Sequence, residues 1–174
     1  MITKNIWNII ENAVILFFRI LSRTLGLQLS NNMIKTGIQF VKFGIIGISN
    51  TAISYIIYTI CLLLFRNTNF FSKADYLIAQ GIAFILSVLW SFYWNNKMVF
   101  TLDADEERSI WKTLLRTYIS YSFTGLFLNS ILLVLWVQWF HISEFIAPIF
   151  NLLISVPLNF LINKFWTFKK KIPV

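Results

Sequence analysis

An all-α integral membrane protein is the fold class the sequence predicts: four transmembrane helices as two tandem two-helix repeats, preceded by an N-terminal interfacial amphipathic helix. Three observations predict it. The 174 residues are 57% hydrophobic and only 13% charged, with a mean hydropathy of +0.70, whereas a water-soluble domain carries about 25% charged residues. Four stretches free of Asp, Glu, Lys and Arg, residues 43–65, 76–96, 117–140 and 145–163, are about as long as the roughly 20 residues that cross a bilayer. The second and fourth of these repeat one another's polar pattern. The same composition argues against a disordered chain, a coiled coil or a soluble dinucleotide-binding enzyme.

Residues 5–25 come first. They are apolar but interrupted by Asn5, Asn8, Glu11, Asn12, Arg19, Ser22 and Arg23, a spacing that gathers the polar groups along one helical face. The segment reads as a helix lying on the cytoplasmic leaflet. As a fifth span it would put Arg19 or Glu11 in hydrocarbon, at about 2.5–3.5 kcal/mol each. No small-residue cleavage site follows it, so it is kept as part of the mature chain. The domain plan is therefore 1–36 for the interfacial region, 37–169 for the four-helix domain (repeat one 40–100, repeat two 116–168) and 170–174 for a basic tail.

Charge orients the spans. The N-terminal region, the central loop and the tail hold thirteen of the basic residues, and the opposite side only Arg66 and Lys73. The positive-inside rule then makes both termini cytoplasmic. The net charge of +8 lies beside apolar segments, so it points to lipid phosphates and not to nucleic acid. Cys61 is the only cysteine, which excludes a disulfide framework. His141 is the only histidine and falls at the external surface. Asp103, Asp105, Glu106 and Glu107 form a solvated acidic run or a partner contact. No nucleophile stands with a base, no metal constellation or glycine-rich phosphate loop is present, and neither an enzyme nor a cofactor is expected.

The repeats carry the functional information. At an offset of 68, Ala79, Ala83, Ser87, Ser91 and Asn95 pair with Ala147, Asn151, Ser155, Asn159 and Asn163, and Val99-Phe100 pairs with Thr167-Phe168. At an offset of 78, Phe43, Gly47 and Thr51 pair with Tyr121, Gly125 and Asn129. Both hairpins start on the same side, so they are parallel repeats about an axis along the membrane normal. Sixteen residues of helix rise about 24 Å, most of the hydrocarbon core. For Ala79, Ala83, Ser87 and Ser155 close helix packing is the favoured reading. The amides of Asn95, Asn129, Asn151, Asn159 and Asn163 need partners in hydrocarbon. They either satisfy one another or bind sugar hydroxyls, and both readings stay open.

Lys42, Lys97, Arg116 and Lys164 fall at cytoplasmic helix ends, where snorkelling explains each alone. As a group at the ends of the asparagine tracks they also suit a phosphate or diphosphate headgroup. Pro157 falls inside the fourth span and predicts a kink. With no acid or base in mid-span, an ion-coupled transporter is disfavoured.

The Phe-x-x-x-Gly-x-x-x-Thr start (Phe43, Gly47, Thr51), the Asn159–Phe168 ending and its weaker copy Ser91–Phe100 resemble the GtrA-like family of small bacterial membrane proteins. The resemblance covers about residues 38–168. It implies translocation of a polyprenyl-phosphate-linked sugar, such as undecaprenyl-phosphate glucose or a related hexose, across the bacterial cytoplasmic membrane, for modification of O-antigen, teichoic acid or another envelope polymer. It implies as partners a membrane glycosyltransferase that loads the carrier inside and a second glycosyltransferase at the outer face. Asn95 and Asn163 match the family's motif asparagine, Val99 and Phe100 its hydrophobic end, and Arg116 the basic residue opening the third helix. Ser91 and Asn96 depart from the pattern, Asn96 standing where a basic residue is common. The candidate substrate-binding set is thus Lys42, Thr51, Asn95, Lys97, Arg116, Asn129, Asn151, Asn159, Asn163 and Lys164. The competing reading is a non-transporting scaffold that docks or activates a glycosyltransferase. Four small helices enclose little volume, so a transport reading suits a homodimer or larger assembly.

Overall fold

The computed structural model describes residues 2–26, 30–68, 75–102, 106–143 and 146–169. Within these the protein is helical, and four helices are long and apolar enough to cross a membrane: Asn31–Thr68, Asp75–Val99, Ile110–Trp139 and Ile149–Thr167. Lys73, Asp103, Asp105, Glu144, Lys170 and Lys171 lie outside the described residues.

Helix α1, Ile2–Leu25, precedes the spans and folds back against α2, Asn31–Thr68. Its contact stripe is regular in the helical period: Trp7 packs toward the core, Glu11 pairs with Lys42, Val14 is buried, and the Phe18 ring lies over Gly37. A Cβ on Gly37 would stand 2.3 Å from Phe18 Cε2, so only glycine permits this approach. On the opposite side Ile9, Leu16, Phe17 and Ile20 remain exposed.

The spans start earlier than their charge-free cores. Ser30 opens α2 by accepting from the amides of Met33 and Ile34, so the helix runs through Lys35 and Lys42 before its apolar part. At about 1.5 Å per residue its 38 residues measure about 57 Å, against roughly 30 Å of hydrocarbon. The surplus at its start is the post on which α1 leans. The same holds for α4, Ile110–Ser122, capped by Ser109. Freedom from charge locates the hydrocarbon crossing and not the helix end, because Lys and Arg continue a helix readily.

Helix α3, Asp75–Trp94, returns beside α2. The third span is α4, a π turn over Phe123–Leu128, α5 (Asn129–Val134) and a second π turn over Leu135–Trp139. It closes with His141 in the left-handed region, at φ 52°, and with the Ile142 amide donating to Trp136 O at 2.9 Å. Helix α6, Ala147–Ile162, is continuous through Pro157.

Both hairpins end alike. Asn95–Val99 after α3 and Asn163–Thr167 after α6 are π turns, closed by Phe100 N to Asn95 O at 2.9 Å and Phe168 N to Asn163 O at 2.8 Å. The rings that follow show the symmetry. Phe92 stacks on Phe168 at 6.0 Å, the equivalent pair Phe160 and Phe100 stack at 6.1 Å, and Phe100 lies on Phe168 at 4.6 Å. Exchanging the repeats maps the first contact on the second and the third on itself, so a pseudo-twofold axis along the bundle passes between Phe100 and Phe168. Phe43, Ile46 and Val99 complete this aromatic core.

Candidate functional site

Both polar tracks are largely buried, but of the two the one on α6 borders a groove. The α3 track is interior: Ala79, Ala83, Ser87, Ser91 and Asn95 are all at most 2% exposed. It meets α4, where Tyr121 OH and Ser91 Oγ share a short hydrogen bond and Tyr118 OH donates to Ile85 O at 2.7 Å. Further along, Ser120 Oγ and Thr167 Oγ1 join α4 to the end of the last span at 2.7 Å. Small hydroxyl residues here let helices approach and pair across the contact.

Asn95 and Asn163 are equivalent to atomic detail. Asn95 Nδ2 donates to Ser91 O at 2.9 Å and Ser91 Oγ at 3.0 Å, and Asn163 Nδ2 donates to Asn159 O at 2.8 Å and Asn159 Oδ1 at 2.9 Å. Each amide binds the turn before it while its main-chain carbonyl closes the π turn after it. Both are essentially inaccessible, and each Oδ1 lacks a partner. Ser91, a departure from the family pattern, thus supplies the same acceptors as Asn159.

The remaining amides lie about a groove. A cavity of about 900 Å³ is bounded by α2 on one side and by α4, α5 and α6 on the other. Its lining includes all six repeat-related residues Phe43, Gly47, Thr51, Tyr121, Gly125 and Asn129, with Asn50, Ser155 and Asn159. No atom outside the local helix lies within 4 Å of where a Cβ on Gly47 or Gly125 would stand, so these glycines hold space and not a close helix contact. The α2 wall is open to the outside, with Ile48 and Tyr55 75% and 70% exposed. Asn151 Nδ2 reaches across to Asn129 O at 2.9 Å, and the side-chain oxygens of Asn50, Asn129 and Asn151 have no partner. Thr51 donates to Gly47 O at 3.2 Å. Thr51, Asn129 and Asn159 are therefore together, Asn151 stands behind them, and Asn95 and Asn163 lie elsewhere.

The four candidate cations are dispersed at the end of the bundle that carries α1 and the central loop. Lys42 pairs with Glu11 and lies over the Trp7 ring. Lys97 donates to Tyr93 OH at 3.0 Å, and Lys164 to Thr36 Oγ1 at 2.6 Å. Arg116 donates to Trp166 O at 3.1 Å and lies over that indole. Sequence reasoning missed Arg108, which it counted only as loop charge. Its guanidinium donates to Phe100 O at 2.8 Å, to Phe168 O at 3.1 Å and to Asn96 Oδ1, and it covers the Phe168 ring at 5.0 Å. Burial pushes its pKa below the usual arginine value, and Glu106 nearby acts in the opposite sense. Arg108 holds the two symmetry-related carbonyls, capping the axis. Asn96 is its acceptor, which explains the missing basic residue there: a cation at 96 would repel Arg108. Asn50 was also missed, although an amide next to Thr51 within a charge-free span was its visible signal.

Two parallel repeats that wall a groove, in a chain with four helices long and apolar enough to cross a membrane, define a multi-pass membrane protein with internal pseudosymmetry. The family model for the GtrA/DPMS transmembrane domain matches residues 42–168, and the chain belongs to that family. Among curated proteins it resembles the cell wall teichoic acid glycosylation protein GtcA of Listeria monocytogenes, 31% identical over 98 residues, 55% of this chain and 65% of that one. The protein of the same name from Listeria innocua serovar 6a is 29% identical over 98 residues, again 55% and 65%. The chain thus spans somewhat less than two thirds of these relatives. No solved structure matches.

Proposed function

We propose that the protein carries a polyprenyl-phosphate-linked hexose from the cytoplasmic to the outer leaflet of a bacterial cytoplasmic membrane, for glycosylation of a cell-envelope polymer. The observation that carries this reading is the groove of about 900 Å³, within the roughly 300–1,000 Å³ of ordinary ligand sites. Its polar wall is neutral: Thr51, Asn129, Ser155 and Asn159 offer donors and acceptors of the kind sugar hydroxyls pair with. Its open side toward lipid leaves the polyprenyl tail in hydrocarbon while the head moves. Family membership and the teichoic acid glycosylation role in the relatives' name support the same assignment.

The basic end faces the cytoplasm in this reading, and α1 lies at that interface with Ile9, Leu16, Phe17 and Ile20 in the leaflet. The protein does no covalent chemistry. One glycosyltransferase loads the carrier inside and another uses it outside. The test is leaflet exchange of labelled undecaprenyl-phosphate glucose in proteoliposomes holding only this protein, beside Asn129→Ala/Asn159→Ala. Exchange by the wild type and its loss in the folded variant support the proposal. No exchange from folded protein overturns it in favour of a scaffold for the glycosyltransferase.

A further inference from the structure

Two recesses lie at the basic end, and the repeat relates them. The first, of about 510 Å³, is bounded by Asn31, Ile34, Lys35, Ile38 and Thr101 among others. The second, of about 790 Å³, is bounded by Ser109, Lys112, Thr113, Arg116 and Lys169 at the equivalent positions, and by Arg108, Glu106 and Glu107. Each is the angle between the opening turns of a repeat's first helix and the residue just beyond its second.

The two have diverged in charge. Ile34, Ile38 and Thr101 of the first become Lys112, Arg116 and Lys169 of the second, so three neutral positions are all cationic in one recess. The first recess already holds an anion: Glu11 of α1 reaches into it and pairs with Lys42. Among the described residues no part of α1 lines the second, and there four cations outnumber the two carboxylates of Glu106 and Glu107. Arg108 and Arg116 are held in place by main-chain carbonyls, whereas the Lys112 and Lys169 side chains are exposed. Two fixed guanidinium groups and two exposed lysines around one hollow suit a phosphate, which accepts several charge-assisted hydrogen bonds at once.

We infer that the second recess is the docking site for the phosphate of a lipid headgroup, with Lys112 and Lys169 as the cations that close on it. The inference rests on the transport reading and adds a loading site outside the groove. It also divides the repeats by role, since the first recess is the one that a carboxylate of α1 enters.

The experiment is equilibrium binding of radiolabelled undecaprenyl phosphate to the full chain in phosphatidylcholine nanodiscs. Saturable binding is expected, weakened about tenfold or more in Lys112→Gln/Lys169→Gln, since two charge-assisted contacts are lost, and unchanged in Lys35→Gln. Equal binding by wild type and double variant, with unchanged melting, overturns the inference. So does displacement by inorganic phosphate at the lipid's own concentration, which makes the recess a free-phosphate site. Displacement by phosphatidylglycerol keeps the recess as a lipid-phosphate site and detaches it from the carrier. Binding without leaflet exchange leaves the recess standing and removes the transport reading, and exchange with binding unaffected by the double variant does the reverse.

Discussion

Arg108 is the residue on which the two repeats are pinned, and its partners state its role. Phe100 O and Phe168 O are main-chain acceptors at the ends of the two hairpins, and one guanidinium fork satisfies both with Asn96. Hydrogen bonds to a charged group contribute about 1.5–3 kcal/mol each, and losses within a network are less than additive. Arg108→Ala should therefore lower stability by about 3 kcal/mol, and Arg108→Lys should recover less than half, because an ammonium cannot present a planar fork. Thermal unfolding in detergent checks both. Asn95 and Asn163 behave differently. Each Nδ2 donates to the preceding turn of its own helix and each Oδ1 is buried without a partner, so alanine at either should cost only about 1 kcal/mol, the lost bonds being offset by removal of that oxygen. The doubled asparagine was legible from sequence because identical residues recur 68 apart. Arg108 was not, because its partners lie 8, 12 and 60 residues away and nothing in local spacing joins them.

At the scale of elements, the spans were legible as apolar runs and their ends were not. Periodicity does not report a π turn, which adds one residue to a helical turn without changing composition, so Phe123–Leu128 and the two hairpin endings emerge only in three dimensions. The amphipathic first helix was legible from its polar spacing, but its docking was not, since the pairing of Glu11 with Lys42 and of Phe18 with Gly37 joins distant segments. Gly37→Val should push the Phe18 ring aside and loosen α1, read as faster trypsin cleavage at Arg19 and Arg23. Phe18→Ala in the same chain should restore protection in part, because it vacates the space the new side chain needs. At the other end, His141 holds a left-handed conformation at φ 52°, which costs a non-glycine residue about 1 kcal/mol. His141→Gly should raise stability by about that amount, again measured by melting.

Over the whole molecule, pseudosymmetry organises the core and its breaking makes the sites. The aromatic stack about Phe100 and Phe168 obeys the axis closely, while the groove uses α6 and leaves the equivalent α3 residues Ser87 and Ser91 buried, Ser91 against Tyr121 of α4. The sequence repeat showed that two hairpins are related, and it paired Gly47 with Gly125 and Thr51 with Asn129. It did not show that the two polar tracks face different surroundings, because that depends on which helix of each hairpin meets the other hairpin. Nor did it show that the four candidate cations lie apart. The most direct test of the groove uses its two glycines, where a new side chain meets open space and a helix gains from the lost glycine flexibility. Leaflet exchange of undecaprenyl-phosphate glucose is to be measured in proteoliposomes for wild type and for Gly47→Leu/Gly125→Leu. Exchange by the wild type and at least a tenfold loss in a variant that melts no lower are expected if the groove is the path; exchange undiminished with the groove filled, or none from folded wild type, would rule the groove out.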